Sequence, residues 1–565
     1  MLAVLLAGAT GCPRAPVAAA PDNAPADARD DRVVISIVGT NDLHGHLGAL
    51  PLLGGHLANL RRARAADGGA VVLLDGGDMF QGTLESNLEE GAAVVQAYGV
   101  LGYDAVAIGN HEFDYGPVGS QSTATSGQDP RGALRARMGE ASYPFVAANI
   151  VDADTGAPAD LGVRAVMIER SGVRIGIVGA TTESTPQTTI AANVDDLRFA
   201  PVAAAIAAEA HALRRRGAAV VVVAAHIGGK CTDLGDPDVL TSCDPDDEIM
   251  HVARALPPGA VDAIVAGHTH QAMAHRVAGV AVIESYANGV AFGRIDLTVD
   301  RRAARVVDVA IHPPWRLCRG DASPEGPQAA CDPEPYEGAA VSPDPAVAAA
   351  IAPALAKAAT MRSRPLGPRL TAEFGIARGR ESAVGNLITD MMLAARRGHD
   401  LALVNGGGLR APLPEGPLRY GALYETFPFD NRFATVRLPA GELAAMLATM
   451  LGRDGSFFSV GGVRVQARCA DGALRVVVVR DDGRAIGSDE TLAILTSDFL
   501  ATGGDGLFSA IADREGAVTL EDGPPIREVL ADAFTAMPDT ALDPSTYLRA
   551  APRVELEGQR PVRCP

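Results

Sequence analysis

Five short polar clusters break the apolar texture of the first half of the chain: Asp42-Leu43-His44, Gly77-Asp78, Gly109-Asn110-His111-Glu112-Phe113-Asp114, His226, and Gly267-His268-Thr269-His270. Their carboxylate, amide and imidazole donors suit divalent ions such as Zn, Mn, Fe or Co, and mixed N/O shells often hold two ions ~4 Å apart with a carboxylate between them. Such a pair polarises phosphoryl oxygens and acidifies a bound water, so the chemistry on offer is phosphate-ester hydrolysis. Singly, each residue says little, because a lone His is more often core or surface and an Asp after a strand is more often a turn or cap. Their shared context says more.

Each cluster follows a short, largely β-branched run: Val33 to Val38, Val71 to Leu74, Ala105 to Ile108, Val220 to Ala225, and Val261 to Ala266. Runs of this kind suit strands buried on both faces, and their alternation with Ala-rich helical sequence predicts an α/β sheet layered by helices. Ligands in such folds bind just past the strand ends. Residues i and i+2 leave a strand on the same side, which sets Asp42 beside His44 and His268 beside His270. From Pro313 the texture turns to Pro, Ala and Asp, with a helix expected from Pro345 to Met361, and strand-like runs return at Leu401 to Val404 and Leu474 to Val479.

The order D-x-H, GD, GNH, H, GHTH resembles the metallophosphoesterase (calcineurin-like) superfamily. Asn41 to Leu47 (NDLHGHL), Gly77 to Thr83 (GDMFQGT) and Gly109 to Asp114 (GNHEFD) resemble its 5'-nucleotidase branch. In the second half, Arg378 to Asn386 (RGRESAVGN), Asn405 to Arg410 (NGGGLR), Pro428 to Asn431 (PFDN) and Phe499 to Gly506 (FLATGGDG) resemble the nucleotidase C-terminal domain. The resemblance implies an N-terminal metallophosphoesterase-type layered αββα domain plus a second α/β substrate-binding domain. It implies one divalent metal ion held by Asp42, His44, Asp78 and His270, and a second held by Asp78, Asn110, His226 and His268. His111 matches the family's catalytic histidine, with Asp114 orienting it. Phe429 and Phe499 match the rings that sandwich the nucleobase, Asp505 the ribose contact, Asn405 a polar position near the base, and Arg378 and Arg410 the contacts to phosphate or sugar oxygens. His46, His56, Glu112, His251 and His275 fall outside the ligand pattern, and Arg380 and Asn431 are neighbours without an assigned role.

The implied domains run from 31 to 312 (catalytic) and from 369 to 565 (nucleotide-binding), with a linker at 313–368 whose helix is the expected hinge. The implied activity is release of phosphate from nucleoside 5'-monophosphates, extending to nucleoside di- and triphosphates or nucleotide sugars. Alternatives are a 2',3'-cyclic-nucleotide phosphodiesterase with 3'-nucleotidase activity, a sulfur-ester hydrolase of the same build, and, from another class, a lipid-anchored nucleotide receptor without turnover.

Charge disfavours a nucleic-acid polymer and leaves a small anion open, because a local site can invert the global field. With 49 Lys and Arg against 68 Asp and Glu, the net charge of −19 repels a polyanion. The start, MLAVLLAGATGC, is too short to span a bilayer and resembles a bacterial lipoprotein signal ending at Cys12, followed by an Ala/Pro/Asp-rich tether over 13–30. The expected location is therefore exported, periplasmic or cell-envelope, with a lipid on Cys12 as the sole membrane contact. Of seven cysteines this leaves six, whose neighbours pair as Cys231 with Cys243, Cys318 with Cys331, and Cys469 with Cys564. Six cysteines allow 15 pairings, and the two short loops are the cheapest to close. Disulfides fit an oxidising compartment.

Overall fold

A computed structural model describes the chain from Asp31 to Cys564, apart from residues 120, 125, 126, 320–330, 378, 454–456, 513, 522, 538, 549–551 and 559. The expected signal, the tether with Cys12, and Arg378 lie outside the described residues.

The first half folds into two six-stranded sheets packed face to face. In the first, Arg32–Thr40, Ala70–Asp75, Ala105–Ala107 and Phe145–Val146 run parallel, and Ala291–Asp300 and Arg305–Arg316 extend it antiparallel beside Arg32–Thr40. In the second, Val173–Thr181, Val220–His226, Ala263–Val265 and Val280–Ser285 run parallel, flanked antiparallel by Ala165–Arg170 and Ala272–Val277. The strand period of two explains the unbroken apolar runs. Ile35, Ile37, Val72 and Leu74 point between the sheets against Ile175, Val222 and Ile283. Alternate residues such as Val38, Leu73 and Val106 point outward under the helices Leu50–Ala66 and Ala92–Leu101. The second sheet carries Val202–Arg215 and Glu248–Ala255 on its own outer face, completing four layers.

Two strands are shorter than the runs that predicted them, and side chains bond beside their ends. Thr181 Oγ1 donates to the Ile108 carbonyl at 2.6 Å, and Asp262 accepts the Val221 N–H at 2.8 Å and an Arg214 Nη2 proton at 2.6 Å.

The second half centres on a five-stranded mixed sheet in the order Phe458–Gly461, Leu401–Asn405, Thr491–Ser497, Phe433–Pro439, Val518–Leu520. Helices Ala383–Ala395, Tyr420–Thr426 and Ile526–Thr535 cover one face, and Ala440–Leu451 with the hairpin Val463–Ala470/Ala473–Arg480 covers the other. Between the halves, the expected helix forms as Pro345–Arg362, capped by Asp344, whose carboxylate accepts the Ala346 and Val347 N–H groups. Its Val347, Ile351 and Ala354 pack into the first half's outer core, while Ala358 joins the second half's core. Arg362 then reaches both Glu85 and Glu425, so this helix touches both halves. Disulfides join Cys231 to Cys243 and Cys318 to Cys331, the two short loops, and Cys469 to Cys564, the remaining neighbours.

Candidate active site

All five polar clusters emerge from the C-terminal ends of parallel strands and meet at one edge of the sandwich. Within each sheet, main-chain bonds tie neighbouring loops: Asp42 N–H donates to Gly77 O at 2.9 Å, and Gly267 N–H to Ile227 O at 3.1 Å. Across the sheets, the His268 N–H donates to Asp42 Oδ2 at 2.9 Å. Gly109 makes the approach possible, since a Cβ there would sit 2.2 Å from Asp78 Oδ1.

Donor atoms gather into two groups. In one, His44 Nε2 lies 2.9 Å from His270 Nε2, and Asp42 Oδ1 lies 3.4 Å from His270 Nε2 and 4.0 Å from His44 Nε2. In the other, His226 Nε2 lies 3.0 Å from Asp78 Oδ2, 3.0 Å from Asn110 Oδ1 and 3.2 Å from His268 Nδ1. The same Asp78 Oδ2 is 4.0 Å from His44 Nε2, so it faces both groups. Spacings near 3 Å match the edges of a coordination shell with bonds of ~2.0–2.2 Å.

Three further observations fit metal binding. His44 Nδ1 donates to Gln81 O at 2.7 Å and His226 Nδ1 to Gly76 O at 2.9 Å, which fixes the tautomer that leaves each Nε2 lone pair for a ligand role. Asp42, His44, Asp78, His268 and His270 all hold left-handed backbone, with φ between 49° and 82°. For residues with a side chain this costs ~1–3 kcal/mol each, a strain that concentrates at functional sites. Charge is the third. Burial would raise the Asp42 carboxyl, but the neighbouring His270 and His226 imidazoles bring it down to about 2. Burial pushes His268 down to about 4, so its imidazole is a neutral donor. His226 goes the other way despite burial, held up to about 10 by Asp78, and binding an ion there must release that proton.

Beside these groups, His111 Nδ1 donates to Asp114 Oδ2 at 2.6 Å, and the His111 main-chain N–H donates to Asp78 Oδ1 at 2.8 Å. Burial alone would lower the His111 imidazole; the Asp114 and Asp78 carboxylates raise it instead. The sequence offered no sign of Thr189, whose hydroxyl donates to Asp114 Oδ1 at 2.8 Å from a loop 75 residues away. Glu112, set aside as outside the ligand pattern, is not among the grouped donors. It is fully buried and accepts the N–H groups of Asp78 (2.9 Å), Met79 (2.9 Å) and Gly109 (2.7 Å), binding the Asp78 loop to the Asn110 loop.

Opposite the donors stands the second half. A cleft of about 440 Å³ is lined by Asp78, Asn110, His111, His268 and His270 on one side and by Asn405, Arg410, Phe429, Asn431, Phe499 and Asp505 on the other. Twelve of the 14 phenylalanines are buried in cores; the two that are not are Phe429 and Phe499. The Phe429 ring lies 5.6 Å from the His111 ring, centroid to centroid, and the Arg410 guanidinium lies 5.8 Å from the Phe429 centroid. Asn405 Nδ2 donates to Asp505 Oδ2 at 2.7 Å, and burial raises the Asp505 carboxyl. Gly504 lets the chain tuck against Phe499, whose ring would be 2.6 Å from a Cβ there. Asn431, a neighbour without a role in the sequence, joins the cleft wall; Arg380 is exposed and does not line it. His56 and His275 are buried in the helix and strand that carry them, His251 is exposed, and none lines the cleft.

Residues 35–272 match the calcineurin-like phosphoesterase family and residues 360–513 the 5'-nucleotidase C-terminal domain. The chain is 25% identical over 540 residues to protein UshA of Yersinia enterocolitica, covering 87% of this chain and 89% of that one. It is 25% identical over 549 residues to a 5'-nucleotidase of Vibrio cholerae, covering 91% and 92%. A 5'-nucleotidase precursor from Thermus thermophilus has the same fold, with a TM-score of 0.71 at 24% identity over 92% of this chain and 99% of its own. Layered sheets, a cleft with two donor groups, and matches that run through both halves place the chain in the family of hydrolases that join a calcineurin-like metallophosphoesterase domain to a 5'-nucleotidase C-terminal domain.

Proposed function

We propose that the cleft hydrolyses nucleoside 5'-monophosphates, and extends to the phosphoanhydride bonds of nucleoside di- and triphosphates or nucleotide sugars. The observation that carries this reading is that one cleft is lined by members of both donor groups, His270 of one and Asp78 and His268 of the other, and by the two phenylalanines left out of the cores. Asp42, His44, Asp78 and His270 are assigned to one divalent ion and Asp78, Asn110, His226 and His268 to another. Bound there, the ions supply Lewis acidity to the phosphoryl oxygens and acidify a water. The protein's own share is positioning and charge. His111, turned by Asp114, offers Nε2 to the transferring phosphate; Phe429 and Phe499 stack on the base, which is worth ~1–3 kcal/mol per base and tolerates different bases; Asp505 with Asn405 meets the ribose; Arg410, and Arg378 by the sequence resemblance, meet phosphate or sugar oxygens.

In this reading residues 31–312 carry the chemistry, 369–565 carry recognition, and 313–368 carry the hinge. Export, with a lipid on Cys12, fits the three disulfides. No helix of the described residues is long and apolar enough to cross a membrane. The matches to 5'-nucleotidases and UshA do not favour the cyclic-phosphodiesterase reading. Phosphate release from AMP, UDP-glucose and 2',3'-cyclic AMP, with and without a chelator, tests the proposal. Chelator-sensitive release from AMP is expected. Release from the cyclic substrate alone would replace it with the phosphodiesterase, and nucleotide binding without release from any of the three would leave a receptor.

A further inference from the structure

The loop Phe427 to Asp430, which presents Phe429 to the cleft, has no regular secondary structure to hold it. Asn87 Nδ2 and Ser122 Oγ of the first half reach Pro428 O and Asp430 O at 3.5 and 3.4 Å, but the main support behind it is a guanidinium. Arg527, at the start of the helix Ile526–Thr535, is 4% exposed, and its Nη1 stands 2.8 Å from Pro428 O, 3.3 Å from Phe429 O and 3.4 Å from Phe427 O. Its Nη2 donates to the Asp430 carboxylate, its Nε to Glu528 Oε1 at 3.1 Å, and its guanidinium carbon lies 3.9 Å from the Tyr424 ring centroid. The Ile526 N–H adds a bond to Asn431 O at 2.8 Å, so one helix start grips the four residues of the loop and the one after it.

Burying a cation this completely is expensive unless every donor is matched, and here the fork meets three consecutive carbonyls, two carboxylates and a ring face. Three carbonyls converging on one group fix the path of the main chain through residues 427–429, and with it the direction in which the Phe429 side chain leaves. The neighbouring Phe427 is buried in the core at 1% exposure. A slip of the chain in this loop would disturb both rings, one in the core and one in the cleft.

We infer that Arg527 is a positioning residue for nucleoside recognition, acting through Phe429 rather than by touching substrate. This rests on the proposal that Phe429 stacks on the base. A loosened loop leaves the ring in place for part of the time only, so nucleotide substrates lose the stacking contribution while a phosphate ester without a nucleoside loses little.

The experiment compares kcat/KM on AMP with kcat/KM on p-nitrophenyl phosphate for the metal-loaded full chain, its Arg527→Met and Phe429→Ala variants, and the double variant. Arg527→Met is expected to lower the AMP-to-p-nitrophenyl phosphate ratio about tenfold, within the range a single base stack supplies. The double variant is expected to show the ratio of Phe429→Ala alone, because both changes remove one and the same contact. Equal loss on the two substrates, or a full additional factor in the double variant, would overturn the inference and leave Arg527 a general support of the fold. A wild-type ratio in Phe429→Ala would instead remove the stacking proposal itself. Should Arg527→Met not fold, Arg527→Lys replaces it, keeping the charge beside Asp430 while losing the planar fork; the same comparisons then apply.

Discussion

Asp78→Asn is the most informative single change, because the structure asks two incompatible things of the amide. In the carboxylate, Oδ1 accepts the His111 main-chain N–H at 2.8 Å while Oδ2 faces both donor groups, 3.0 Å from His226 Nε2 and 4.0 Å from His44 Nε2. Asparagine has one oxygen. If it keeps the His111 bond, its NH2 points at the ions; if it faces the ions, its NH2 opposes the His111 N–H. Either choice strands a buried polar group at ~1–3 kcal/mol, in addition to the lost negative charge. Changing a group one layer removed from a metal already weakens affinity ~10–100-fold, and Asp78 is assigned as a direct, shared ligand. We therefore expect kcat/KM on AMP to fall by about 10³ or more, with both ions bound more weakly. Asp42 belongs to one group only, so Asp42→Asn should keep one ion and more of the activity. Metal content by mass spectrometry beside steady-state rates decides it. An Asp78→Asn protein with two ions per chain and a turnover within tenfold of wild type would refute the shared-ligand assignment.

His111→Ala should lower kcat by ~10²–10³ with metal content unchanged, as expected for a charge-stabilising donor; loss of metal would make it a ligand. After chelation, calorimetry should find adenosine still bound and AMP bound no better than adenosine; an undiminished preference for AMP would mean the phosphate is held by the protein alone. Among the disulfides, replacing Cys469 and Cys564, 95 residues apart, should cost more stability (~4–5 kcal/mol) than opening the 12-residue separation of Cys231 and Cys243 (~3 kcal/mol), measured by urea unfolding. Burial pushes the Asp75 carboxyl up to about 7, while an unfolded Asp releases its proton near ~3.9. The native chain thus binds the extra proton between these values, and stability falls as pH rises through that window. Asp75→Asn should flatten the pH dependence of Tm there, and an unchanged slope would show that Asp75 is ionised in the fold.

The donors that the fold gathers were legible because strand and chemistry are adjacent in the chain: His226 is the last residue of its strand, and Asp42 is two residues beyond another. The same holds for the cysteines at separations of 12 and 13. What could not be read is whatever depends on distant segments meeting. Thr189 supports Asp114 across 75 residues and Arg527 supports the Phe429 loop across about a hundred, and neither sits in a patterned stretch. Glu112 was visible but ambiguous. A carboxylate beside predicted ligands reads as a candidate or a bystander, and only the fold shows it collecting N–H groups from two loops at once. The linker helix was placed by its Asp-Pro start and Ala-rich length, yet its packing on both halves follows from faces that its nearly uniform Ala sequence does not distinguish.

Charge supports the proposed division of work between the halves. A chain of net charge −19 must attract a phosphate, and the acids lining its cleft, Asp78, Asp114 and Asp505, do nothing to help. Arg410 is the one guanidinium on that wall among the described residues. Divalent ions on the donor groups would reverse the sign locally, since Asp42 and Asp78 carry only two negative charges between them. The phosphate end of the site therefore depends on metal for attraction as well as for chemistry. In the proposed reading the nucleoside end does not, since ring stacking is uncharged and Asn405 bonds Asp505 within the second half. In that reading, recognition placed on the second half can persist when the first half is stripped of metal, because the Phe429 loop is gripped chiefly by Arg527 of its own half, with Asn87 and Ser122 of the first half adding longer bonds to Pro428 O (3.5 Å) and Asp430 O (3.4 Å).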